Sequence, residues 1–304
     1  MTWTPPVAFA TLLVLAPLLP GVATKTRALL TGRRGPPVLQ LYWDLGKLLR
    51  KGLVYSTTTT WLFRLAPVVV VATALLAASV VPLDGRGALV SFTGDLVAFA
   101  YLLALGRFML VLGGLDTGSS FEGMGASREV TFSSFAEPAL FLCFAGLTLA
   151  TRGLSLTGML GSPLAAAWPA AAPSLAMIGV SLFLVLLAEA SRVPVDDPAT
   201  HLELTMIHEV IVLDHSGPDF ALILYASALK LALFGALLVG VLVPRARLPG
   251  PAAIAVLVLG LVAVAVLIGI VESSMARLRL SRVPQFLIAA SVLASLALIL
   301  LLMT

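Results

Sequence analysis

Charge is what this sequence has least of. Lys, Arg, Asp and Glu make up 11% of its 304 residues, less than half of the roughly 25% found in soluble domains. A water-facing surface cannot be built from so few. Cysteine is scarcer still. Cys143 stands alone inside an apolar block, which excludes an intrachain disulfide, and no Cys/His spacing suggests an iron–sulfur or zinc site. Any redox centre that works with this chain therefore belongs to a partner.

Apolar residues fill the space that charge leaves. They make up 60% of the chain, the mean hydropathy is +1.07, and they come in long blocks such as 65–81 and 254–271. Blocks of about 18 residues match the hydrocarbon thickness of a bilayer. Lipid admits only helices or a closed barrel, and the alternating strands of a barrel are missing, so helices are the fit. The expectation is an all-α, polytopic membrane protein forming one membrane domain over 1–304. Its eight expected spans are 6–23, 63–81, 90–112, 131–151, 174–189, 219–243, 251–271 and 284–303. Residues 7–22 have the length of a signal-peptide core, but 1–6 carry no Lys or Arg and positive charge follows at Lys25 and Arg27. They read as a retained first helix.

The net charge of +4 does not point to nucleic acid, because the basic residues sit in short loops between apolar blocks. Eight lie in 25–64 and five more in later loops of the same side, against Arg86, Arg152, Arg245 and Arg247 opposite. That bias places the first group in the cytoplasm of a cell (inner) membrane, with both termini outside. Residues 39–51 return apolar side chains at helical spacing and end in basic ones, the pattern of a short helix lying along the interface. It serves as a surface anchor or as a docking face.

Ionisable groups at membrane depth cost about 2.5–3.5 kcal/mol even on lenient scales, so they face a partner, a cavity or a proton path. Glu137 lies several residues into the fourth span, Glu189 closes the fifth and Lys230 is near the middle of the sixth. Proton handling and structural pairing both fit these three. Asp95 and Arg107, on the third span, read as a topology feature or an ion pair. Glu272 ends the seventh, where interfacial solvation is cheap.

The densest polar run is 189–219. It holds all three histidines, His201, His208 and His215, seven residues apart, with Glu203 and Glu209 between them. One helix would set the histidines on nearly one face. The spacing is not the His-Glu-x-x-His pattern of a zinc protease, so a proton relay or a polar docking surface fits better than a metal. Pro194 and Pro198 break any helix leaving the fifth span, and Thr200 is placed to cap a polar helix near the cytoplasmic face. A second loop, 116–129, carries acids and glycines and reads as irregular and close-packed.

The run Ala188-Glu189-Ala190-Ser191-Arg192-Val193-Pro194-Val195-Asp196 resembles the cytoplasmic-loop motif of NADH dehydrogenase subunit 1, a membrane subunit of respiratory complex I. Its continuation, Asp197-Pro198-Ala199-Thr200-His201-Leu202-Glu203 to His208-Glu209, resembles the hydrogenase branch of that family, which includes formate hydrogenlyase subunit 4 and hydrogenase-4 component C. So does Gly32-Arg33-Arg34-Gly35-Pro36-Pro37, followed by Gln40 and Asp44-Leu45-Gly46-Lys47-Leu48.

The resemblance implies a non-catalytic subunit that anchors peripheral hydrogenase-like large and small subunits and an iron–sulfur subunit. The [NiFe] centre and the clusters would sit in those partners, with no cofactor in this chain. Ion movement would run through neighbouring antiporter-like membrane subunits. Glu129, Glu189, Asp196 and Glu203 match family acids, and Asp214 stands where complex I subunits carry Glu. The proton-coupling set is then Glu129, Glu137, Glu189, Asp196, Glu203, Glu209, Asp214 and Lys230, with Arg192, His201 and His208 orienting the loop. The alternative within the family is a quinone chamber.

Overall fold

The computed structural model describes residues 3–196 and 206–303; His201 and Glu203 lie outside them. Among the described residues all regular structure is helical: α1 (Thr4–Leu15), α2 (Leu18–Leu30), α3 (Gln40–Leu48), α4 (Trp61–Val80), α5 (Asp95–Asp116), α6 (Ser120–Thr151), α7 (Leu156–Met159), α8 (Ser162–Glu189), α9 (His208–Ile211), α10 (Gly217–Leu242), α11 (Gly250–Ser274), a 3-10 turn (Leu280–Arg282) and α12 (Val283–Met303). Seven helices are long and apolar enough to cross a membrane, and the pair α1 and α2, bent by 48°, supplies an eighth.

The bend has a covalent cause. Pro17 has no N–H, so the helix loses the bond that would have met the Leu13 carbonyl. The Tyr225 hydroxyl of α10 donates to that carbonyl at 3.2 Å, and the Tyr42 hydroxyl of α3 donates to the next one, Val14. The kink is thereby tied to a core helix on one side and to the surface helix on the other. The α3 helix buries none of its residues and leaves Trp43 half exposed, in keeping with the interfacial helix expected over 39–51.

Two boundaries differ from expectation. The segment 116–129 is not an irregular loop: α6 starts at Ser120 and runs 32 residues, about 48 Å against a hydrocarbon core of about 30 Å. Gly125 is there for packing, since a Cβ would come within 2.6 Å of Val210 Cγ1. Likewise α8 starts twelve residues before the expected 174, at Ser162, because it continues through a kink at Ala171 between Pro169 and Pro173.

Small residues let the helices close up. A Cβ on Gly106 of α5 would meet Thr73 Oγ1 of α4 at 2.6 Å, and one on Gly113 would meet Ala66 Cβ at 2.9 Å. Asp116, the last residue of α5, takes the Thr60 N–H at 2.6 Å and the Thr60 hydroxyl at 2.8 Å just before α4 begins. The most enclosed span is α10, with 72% of its apolar window buried against 28% for α12. A charged side chain on α10 therefore points into protein rather than lipid.

Candidate functional site

Four helices, α5, α6, α8 and α10, each bring charge to one junction, and Arg107 is its hub. Arg107 Nη1 donates to Glu137 Oε1 at 2.6 Å. Its Nη2 donates to both oxygens of Glu189, at 2.6 and 2.7 Å. Glu129 Oε1 stands 3.6 Å from Nε, an ion pair without a hydrogen bond. Lys230 Nζ, from α10, reaches Glu189 Oε2 at 2.7 Å. Side-chain exposure is 9% for Arg107 and 6% for Glu189, but 39% for Glu137. The core of the junction is buried and one of its acids is partly exposed.

Charge counting gives the junction its chemical character. Two cations face three carboxylates, so one negative charge is uncompensated when all are ionised. Glu189 is the fixed member, held by both cations. Among the described residues Glu129 and Glu137 each pair with Arg107, Glu129 at the greater distance.

The described parts of the connection between α8 and α10, 190–196 and 206–216, are braced by side-chain bonds. Asp196 Oδ2 accepts from the backbone N–H groups of Ile207 at 3.0 Å and His208 at 3.2 Å, and its Oδ1 pairs with Arg277 at 2.9 Å. Arg128 Nη1 donates to the Met206 carbonyl at 2.8 Å. Asp196 is thus a brace that ties the two described ends of the connection together. Arg192 meets Glu272 at 3.4 Å. Glu272 is 5% exposed, which corrects the expectation of a cheaply solvated interfacial acid.

His208 and His215 do not share one helix; His201 lies outside the described residues. The helix α9 is a single turn, His208–Ile211, and residues 212–216 leave it before α10. His208 lines a small cavity with Glu129 and Lys230. His215 is buried and stacked on Phe63, with ring centroids 3.9 Å apart and planes 6° from parallel. Burial pushes His215 down to about 4. Asp214 is exposed, its N–H donating to Glu122 Oε1 at 3.2 Å, and it stays apart from the Arg107 junction. Glu209 lines a cavity of about 400 Å³ bounded by α2, α3, α10 and the 190–196 segment.

Of the acids and bases singled out in the sequence, the structure joins Glu129, Glu137, Glu189 and Lys230. It sets Asp196, Glu209 and Asp214 in other surroundings. The central residue is Arg107, which reads in the sequence as a topology feature or an ion pair and proves to be the ion-pair hub. Its signal was present, an arginine inside an apolar run, but its three partners lie on other helices and only the packing shows them.

A bundle of apolar helices around a buried charged junction is a multi-pass membrane protein with ionisable groups at span depth. A model of the NADH dehydrogenase family matches residues 5–303. Formate hydrogenlyase subunit 4 of Escherichia coli (strain K12) is 33% identical over 283 residues, covering 90% of each chain. Hydrogenase-4 component C of the same organism is 34% identical over 236 residues, covering 78% of this chain and 73% of that one. A chain of the membrane-bound sulfane sulfur reductase, an archaeal respiratory membrane complex, superposes with a TM-score of 0.85 over 98% of both chains at 18% identity, a likeness of fold. The chain belongs to the NADH dehydrogenase subunit 1 family.

Proposed function

We propose that this chain is the membrane-anchoring and ion-coupling subunit of a membrane-bound hydrogenase or formate hydrogenlyase complex. It links electron transfer in peripheral subunits to movement of protons, or sodium ions, through antiporter-like neighbours. The observation that carries this reading is the Arg107 junction: three carboxylates and two cations drawn from four helices, with one acid in excess. Purely structural pairing would be served by equal numbers of each sign. The likeness to formate hydrogenlyase subunit 4 over 90% of both chains supports the choice of complex. A chain with a single cysteine leaves iron–sulfur ligation to the peripheral subunits.

The basic bias of the loops supports a cytoplasmic side for the 31–60 connection and for 190–216. Peripheral subunits would then sit against these segments, with the junction directly beneath. The test is Glu189→Gln in the assembled complex. Ion translocation driven by the complex should fall roughly tenfold or more while the complex stays assembled in the membrane. Unchanged translocation in both Glu189→Gln and Glu129→Gln would remove the coupling role.

The 400 Å³ cavity favours a second reading, a quinone chamber. Its volume lies within the about 300–1,000 Å³ range of ligand pockets. It combines apolar walls (Leu41, Phe220, Leu224) with polar groups (Arg192, His208, Glu272). Quinone-dependent turnover of the complex, blocked by a quinone-site inhibitor, would support it; turnover indifferent to quinone would exclude it.

A further inference from the structure

The charged junction has a small cavity of its own, about 40 Å³, lined by Arg107, Glu129, Glu189, Lys230, Thr73 and His208 among others. The larger cavity of about 400 Å³ also counts His208 among its walls, with Ile223 and Ser227. So three residues border both spaces, and of these only His208 carries a side chain able both to accept and to donate a proton through two ring nitrogens. We propose that His208 is the proton bridge between the open cavity and the Arg107 junction. The proposal rests on the coupling reading above and assigns to one residue the step that feeds the junction.

Geometry supports each side of the bridge. On the junction side, one water needs about 10–15 Å³ and two to four polar partners. The small cavity has room for roughly three and offers Glu129, Lys230 and the Arg107 Nε, which is buried without a hydrogen-bond partner. On the far side, Arg192, Asp196, Glu209, Glu272 and Asp44 line a space large enough for a water chain. The backbone holds the imidazole between them, because Asp196 accepts the His208 N–H at 3.2 Å and so fixes the start of α9.

The chemistry balances without any electron transfer. A neutral imidazole accepts a proton on its free nitrogen from water in the larger cavity. It releases the proton of the other nitrogen to water in the smaller one, and thence to Glu129. Exchange of tautomers restores the starting ring. Burial pushes His208 below the usual histidine range. Glu129 pulls it back up, Lys230 pushes it down and Asp196 pulls it up again. The resting form is accordingly neutral, the form that can accept.

The experiment uses membrane vesicles carrying the assembled complex, turnover driven by reduced methyl viologen and proton movement read by an entrapped pH-sensitive dye. Three variants are compared: His208→Gly, His208→Gln and Glu129→Gln. The expected result is a loss of roughly tenfold or more in both His208 variants. Added imidazole, entering the space left in His208→Gly, should restore proton movement there and not in Glu129→Gln. Wild-type rates in the His208 variants, with Glu129→Gln impaired, would overturn the bridge and leave the coupling role intact. A His208→Gly defect that imidazole does not relieve, or one that His208→Gln corrects, would assign His208 a packing role and overturn the bridge as well. Wild-type rates in all three, and in Glu189→Gln, would instead remove the coupling reading on which the bridge rests.

Discussion

At the scale of single residues, Arg107 decides most. It holds Glu137 and Glu189 by hydrogen bonds and Glu129 by charge. Arg107→Gln would leave three buried or half-buried carboxylates facing Lys230 alone, and breaking a buried pair in this way costs about 3–5 kcal/mol. The expected outcome is poor assembly, read as loss of the complex on a native gel, partly recovered in Arg107→Lys. His215 supplies a separate prediction. Its folded-state value of about 4 lies below the usual 6.5, so the unfolded chain binds the proton more tightly. Stability is then full above pH 6.5, falls as the pH drops toward 4 and levels off below it, a change on the order of 3 kcal/mol. His215→Phe keeps the stack on Phe63 and removes the proton, so the thermal midpoint should fall less steeply across that window than in the wild type. Lys230, Glu137 and Glu189 were legible in the sequence as charges inside apolar runs. What a run cannot show is which charges on different helices meet, and so the weight of Arg107 emerged only from the packing.

At the scale of elements, each departure from the expected boundaries has a local cause. The glycines of 116–129 signal a loop when read along the chain, yet Gly125 serves the approach of α9 and the helix carries straight on. The fifth span begins earlier than expected because α8 continues through the kink at Ala171, between Pro169 and Pro173. The first span shows the reverse: a continuous apolar block conceals a 48° bend. Its two exposed carbonyls depend on tyrosines from α3 and α10. Tyr42→Phe and Tyr225→Phe should each lower stability by about 1 kcal/mol, measured as the thermal midpoint in detergent. Close helix packing predicts a larger effect for Gly106→Val, because the added Cβ would stand 2.6 Å from Thr73 Oγ1 and force α4 and α5 apart.

At the scale of the whole molecule, the sequence pattern was most informative. Eight apolar blocks correspond to seven long helices and one bent pair, because span length is set by the bilayer and not by tertiary detail. Charge is sorted between the two ends. The basic end carries the surface helix, the 190–216 connection and the larger cavity. At the opposite end Asp95 accepts the Leu156 N–H at 2.6 Å, and Arg245, 1% exposed, is pushed down to about 10 by burial while Asp84 pulls it back up. The sidedness is testable, because Cys143 is fully buried. A cysteine introduced at Gly32 should react with a membrane-impermeant maleimide in inverted vesicles only, and one at Gly87 in right-side-out vesicles only. Under the proposed coupling role, events at the basic end would reach the spans where His208 lines the small cavity with Arg107, Glu129 and Lys230. The measurement that tests this most directly is proton movement in vesicles bearing the assembled complex with Glu189→Gln. A coupling role predicts assembled complexes whose proton movement falls roughly tenfold or more; wild-type proton movement in that variant and in Glu129→Gln would contradict it.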